Sequence, residues 1–68
     1  MPIVIDGKKV ISVPEKEVSG YVVRIWGRAR AADKLYQVTE RGVHQVESME
    51  KVNLIESNHF KIIRRKIK

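Results

Sequence analysis

The chain contains no cysteine. That excludes a disulfide framework and any thiolate metal site, and it fits a reducing compartment. A domain without such cross-links has to fold on its hydrophobic core alone. Large aromatic side chains are scarce: one tryptophan, one phenylalanine and two tyrosines. No apolar run approaches the ~18 residues that a membrane span needs. The opening segment Met1-Pro2-Ile3-Val4-Ile5-Asp6 has neither the basic region nor the long apolar stretch of a signal peptide. We therefore expect a soluble, cytoplasmic protein with no membrane partner.

Chemical motifs are also missing. The four glycines, Gly7, Gly20, Gly27 and Gly42, form neither a Gly-x-x-x-x-Gly-Lys-Ser/Thr loop nor a Gly-x-Gly-x-x-Gly turn. Ser12, Ser19, Ser48 and Ser57 lack the elbow that exposes a nucleophile. The two histidines, His44 and His59, are too few for a metal centre of ordinary composition. His44, Glu47 and Glu50 are expected as solvated polar side chains on a strand end and loop, and Glu15 with Glu17 reads as charge near a helix start. No catalytic, cofactor-binding or metal-ligating residue is assigned, and the expected role is binding rather than catalysis.

What is present is a single short chain of 68 residues, which buries about 60% of its unfolded surface. There is room for one helix on one sheet. The formal net charge is +6, from 14 basic and 8 acidic residues. An excess of that size favours anionic partners.

The apolar pattern predicts five strand-like runs and one helix. Ile3-Val4-Ile5 and Val10-Ile11-Ser12-Val13 flank Asp6-Gly7, a strong hairpin turn because glycine tolerates positive φ. The helix is expected over Gly20 to Trp26, capped by Ser19. Val18 before the cap and Val23 inside form a hydrophobic staple, and Gly27 serves as the C-terminal stop. A rival start at Ser12-Val13-Pro14-Glu15 would leave Gly20 inside the helix at a cost of roughly 1 kcal/mol. Leu35 to Thr39 and Val43 to Val46 are the next strands, turning at Glu40-Arg41-Gly42. Val52 and Leu54 anchor a connection, and His59 to Ile63 is the last strand. Trp26 is expected in the core against Ile3, Ile5 and Phe60. Residues 1–63 are read as one domain and 64–68 as a mobile basic tail.

One helix and one sheet must bury their apolar faces on each other. A right-handed crossover after the first hairpin returns a later strand beside the first. The expected class is α+β: a ubiquitin-like β-grasp, with a mixed four- to five-stranded sheet packed on one main helix.

The segments Ile3-Val4-Ile5-Asp6-Gly7-Lys8-Lys9, Val18-Ser19-Gly20, Tyr36-Gln37-Val38, Val52-Asn53-Leu54 and His59-Phe60 together resemble the prokaryotic multiubiquitin-type domains. The resemblance implies a ubiquitin-like modifier or protein-interaction module. It also implies protein partners of the activating, conjugating or deubiquitinase-like peptidase kind. The chain departs from that pattern at Ile62-Ile63-Arg64-Arg65-Lys66-Ile67-Lys68, which holds no Gly-Gly. A bulky basic segment there argues against the slender tail that conjugation requires.

Two candidate surfaces follow. Strand alternation sends Ile3, Ile5, Tyr36, Val38, Phe60 and Ile62 toward the helix. It leaves Val4, Leu35 and Ile63 as a protein-binding patch on the open sheet face. The alternative is a small nucleic-acid-binding domain. It would use Arg24, Arg28 and Arg30 at the helix end together with Arg64, Arg65, Lys66 and Lys68. Phe60, the aromatic nearest that tail, reads as core and provides no stacking platform.

Overall fold

The structure is a computed structural model that describes residues 2–66. Strands β1 (Pro2–Ile5) and β2 (Lys9–Ser12) form the antiparallel hairpin. Its turn places Asp6 at φ 56° and Gly7 at φ 73°. Both values lie in the left-handed region, where aspartate and glycine are among the few tolerated residues. A short strand β3 (Glu17–Ser19) runs directly into helix α1 (Gly20–Trp26).

The Ser19 hydroxyl accepts the N–H of Val22 at 3.4 Å, so Ser19 caps the helix as expected. Val18 and Val23 are both buried beside the cap. Gly20 has a second reason to be glycine. A Cβ there would lie 2.2 Å from the Glu47 carbonyl oxygen and 2.8 Å from Val46 Cγ1. The loop before Lys51 comes this close because it completes the helix start. Gly20 and Tyr21 donate their N–H groups to the carbonyls of Glu50 and Ser48, at 2.8 and 2.9 Å.

At the other helix end Gly27 is the C-cap, as expected, but it is not the left-handed residue. Gly27 is right-handed (φ −83°), and the left-handed residue is Arg28 (φ 57°). Ala29 N–H bonds the Arg24 carbonyl at 2.9 Å and Arg28 N–H bonds the Ile25 carbonyl at 3.1 Å. This is the Schellman pattern, with arginine where glycine is usual. Gly27 is small for a packing reason: a Cβ on it would meet Ile62 Cδ1 at 2.3 Å.

After the helix, β4 (Lys34–Thr39) pairs antiparallel with β5 (Gly42–Gln45), and β7 (His59–Ile63) inserts between β4 and β1. The sheet order is β2-β1-β7-β4-β5, with β1 and β7 parallel and the other neighbours antiparallel. A separate two-stranded ladder joins β3 to β6 (Lys51–Asn53), with Val18 opposite Val52. The chain is thus a small α+β domain with a mixed five-stranded sheet and one short helix. Among the described residues, no helix is long and apolar enough to cross a membrane.

The core is formed by Ile3, Ile5, Val13, Val18, Val23, Leu35, Val46, Val52, Leu54, Phe60 and Ile62. Three corrections concern it. Trp26 is only partly buried at its margin, and Val23 is the helix side chain fully enclosed. The phase of β4 is opposite to the expected one. Leu35 is 0% exposed and Gln37 is buried, whereas Val38 is exposed and Tyr36 is partly so. Leu35 lies opposite Ile62, and Gln37 opposite Phe60, so both face the helix. Gln37 is stable inside because its Nε2 donates to the carbonyls of Ser57 and Asn53, at 3.0 and 3.3 Å. Lastly, the domain does not release its chain at residue 63. Arg64 and Arg65 are bonded to the body of the fold, as described below. Residues 67 and 68 of the segment 64–68, expected to be mobile, lie outside the described residues.

Candidate functional site

Strand register settles which side chains share the sheet face that α1 does not cover. Val10 stands opposite Val4, Val4 opposite His59, His59 opposite Val38, and Val38 opposite Val43. Paired residues project to the same face. These five side chains therefore form one row across all five strands. Val10 and Val43 are each 64% exposed and Val38 37%; His59 is exposed and Val4 partly buried. The neighbouring row on this face is Lys61, Tyr36 and Gln45, followed by Ile63 and Lys34. Asp6, just past the end of β1, borders this face beside Val38, His59 and Lys61.

Only part of the expected patch survives. Leu35 is in the core and leaves the surface entirely. Ile63 is 46% exposed, but Val4 pairs with His59. Ile63 is four positions further along β7, about 13 Å away at strand rise. Val4 belongs to the valine row, while Ile63 sits at the far end of the face. The missed members are Val10, Val38, Val43 and His59. The two hairpin turns would have placed Val10 and Val43, since loop length sets register. Val38 was lost with the phase of β4.

The basic residues have a different fate. Asp33, with its side chain 0% exposed, gathers most of them. It accepts the backbone N–H of Arg30 at 2.8 Å and of Arg65 at 3.0 Å. The Arg30 guanidinium adds bonds at 3.3 Å. The two backbone donors, Arg30 first, hold the Asp33 carboxyl down at about 2 against an ordinary 3.8; burial opposes the shift and the Arg30 side chain assists it. Arg24 spans the same loop, donating to the carbonyls of Asp33 (2.8 Å) and Arg30 (2.6 Å). Arg30 also donates to the Arg65 carbonyl at 2.6 Å. Arg64 donates to the carbonyls of Gly27 and Arg28, at 3.0 and 3.3 Å. Its guanidinium lies 3.5 Å from Asp6 and 3.7 Å from Asp33.

Arg24, Arg30 and Arg64 therefore act as struts between the helix exit, the loop before β4 and the end of β7. The structure brings them together, but around a buried carboxylate rather than toward an outside ligand. Arg28, Arg65 and Lys66 are exposed, and Lys68 lies outside the described residues.

At the other end of the sheet, His44 Nε2 and Glu50 Oε2 are 2.7 Å apart. That bond holds the Glu50 carboxyl below its ordinary value, against the opposing effect of burial. Glu50 also accepts the N–H of Glu47 at 3.3 Å, so the pair braces the loop that caps α1. Among the described residues, no group of three or more His, Cys, Asp or Glu is placed to hold a metal ion. No family model matches the chain, and neither does any curated protein or solved structure.

Proposed function

We propose that the domain is a ubiquitin-like β-grasp module of the cytoplasm, and that it binds a protein partner through its open sheet face. The strand order supports the β-grasp reading. Once the β3–β6 ladder is set aside, the hairpin leads into the helix, and the last strand lies between the first and third, parallel to the first. The resemblance to multiubiquitin-type domains suggests partners of the activating, conjugating or deubiquitinase-like kind.

The observation that carries the proposal is the row Val10–Val4–His59–Val38–Val43. Aligned apolar surface of this kind is costly to leave in water and gains about 25 cal/mol per Å² when covered. Lys61 and Lys34 flank it, so an apolar partner face with an acidic rim is the complement. The nucleic-acid alternative has less support, because Arg24, Arg30 and Arg64 are hydrogen-bonded within the fold.

The test is site-specific photo-crosslinking in the source cell. A photoreactive residue at Val43 or Val10 should give discrete protein adducts that Val38→Asp removes. The same residue at Tyr21, which is exposed on the helix, should give none of them. Equal labelling from the helix and the sheet would reject docking through this face. Adducts dominated by nucleic acid would favour the alternative.

A further inference from the structure

We infer that the concavity between the β1–β2 turn and the C-terminal end of α1 is a binding site for a compact phosphate dianion, free or as the terminal group of a small phosphomonoester. The pocket measures about 350 Å³ and is lined by Ile5, Asp6, Lys8, Lys9, Gly27, Arg28 and Arg64. It lies on the helix side of the sheet, since Lys9 is paired with the inward-facing Ile5. It is thus separate from the open valine face.

Its charges are the first argument. The one acid lining it, Asp6, is already engaged: Oδ1 accepts the Ile62 N–H at 3.0 Å and Oδ2 faces Arg64 at 3.5 Å. Arg64 is likewise turned to Asp6, Asp33 and two backbone carbonyls. Lys8, Lys9 and Arg28 remain. Among the described residues, none of their side chains is hydrogen-bonded or ion-paired to another group. Three uncommitted cations thus converge from two chain segments on one recess whose floor, Ile5 and Gly27, is apolar.

Backbone conformation is the second argument. Asp6 and Arg28 are the two non-glycine residues with positive φ among those described, and both line this pocket. Asp6 is accounted for by its Asp-Gly turn. Arg28 fills the left-handed position of the Schellman turn, which favours glycine; an arginine there bears a steric penalty, and its guanidinium has no partner among the described residues. Backbone strain of this sort gathers at ligand-holding sites.

The size of the recess and the number of cations select the ligand. Arg24 and Arg30 spend their guanidinium donors on backbone carbonyls and on Asp33, so neither extends the three free cations into a track for a polymer backbone. A phosphomonoester carries a charge near −2 at neutral pH and three acceptor oxygens. That matches three donors better than a single carboxylate does.

The experiment is an amide NMR titration with sodium phosphate, at ionic strength held constant with sodium chloride. Saturable shifts are expected at Gly7, Lys8, Lys9, Arg28 and Ala29, with none from chloride alone. Arg28→Gly keeps the left-handed turn, so its melting temperature should be equal or higher while its dissociation constant for phosphate rises about tenfold or more. Lys9→Ala should weaken binding similarly. A nucleoside 5′-monophosphate should shift the same amides; tighter binding than free phosphate identifies the terminal-group source, and equal binding identifies the free anion. Non-saturating shifts, or unchanged affinity in Arg28→Gly, would overturn the assignment. So would tighter binding of an oligonucleotide without terminal phosphate.

Discussion

The backbone N–H of Arg65 donates to the Asp33 carboxylate at 3.0 Å across 32 residues of chain. That bond ties the end of the last sheet strand to the loop leaving the helix. The same carboxylate takes the N–H of Arg30, so its charge stabilises both segments at once. Because its folded pKa of about 2 lies below the ordinary 3.8, the stabilisation is complete above roughly pH 5. It declines as pH falls through the unfolded and then the folded value. Wild type should therefore melt above Asp33→Asn at neutral pH, and the gap should narrow between about pH 5 and pH 2. Thermal denaturation across that range checks this. A gap of the same size at both ends would mean that the carboxylate charge is not the source.

Gly20 and Gly27 each exclude a side chain, but against different obstacles. At Gly20 the nearest atom is a backbone carbonyl held in place by the helix-capping loop; at Gly27 it is the tip of Ile62. Backbone cannot yield as a side-chain tip can. Gly20→Ala should cost at least the 1–3 kcal/mol typical of overpacking, and Gly27→Ala less. Ile62→Val removes the clashing Cδ1, so it should recover part of the Gly27→Ala loss and none of the Gly20→Ala loss. Urea denaturation of the two double-mutant cycles reads the difference.

Gln37 offers a test of the inverted strand. By apolar pattern, Gln37→Leu is a conservative filling of a buried site. In this fold it removes the donor that serves the Ser57 and Asn53 carbonyls. Leaving part-buried acceptors unpaired costs up to about 1–3 kcal/mol. Gln37→Leu should therefore lower the urea midpoint. A rise in stability would show that those carbonyls find other donors.

The helix and the first hairpin were legible because their determinants are local. Ser19 caps Val22 three residues on, and Asp6-Gly7 makes its turn from its own backbone preferences. The alternation of β7, with Phe60 and Ile62 inward, also read correctly. What was illegible depends on distant partners. Gln37 is buried because of carbonyls 16 and 20 residues away, so the β4 pattern of Leu35, Gln37 inward looks like the wrong face. The arginines looked like one basic surface because Asp33, a lone acid among them, gives no sign in sequence of being the group they enclose. Strands β3 and β6 are three residues each, too short to show a period. For the open face, the hairpin registers were readable, but the strand phase that joins them was not.

Strand alternation alone predicts Leu35 and Ile63 in one exposed patch, and the fold separates them completely. Leu35 is 0% exposed against Ile62, whereas Ile63 is 46% exposed opposite Lys34. Their substitutions should therefore diverge. Leu35→Ala removes a buried aliphatic group and should cost about 2–5 kcal/mol, enough to unfold much of a domain this small. Ile63→Ala changes little enclosed surface and should stay near the ±0.5 kcal/mol typical of exposed sites. The same contrast separates stability from binding on the open face. Val43→Asp adds a charge to a side chain already 64% exposed, so it should keep the wild-type denaturation midpoint. It should also remove the protein adducts formed from Val10, because a carboxylate at the end of the valine row would have to be desolvated on docking. Circular dichroism melts of the three variants, run beside crosslinking from Val10, provide both readouts. A stable Leu35→Ala variant would refute the β4 phase itself. A stable Val43→Asp variant that still forms the adducts would place the partner elsewhere on the molecule.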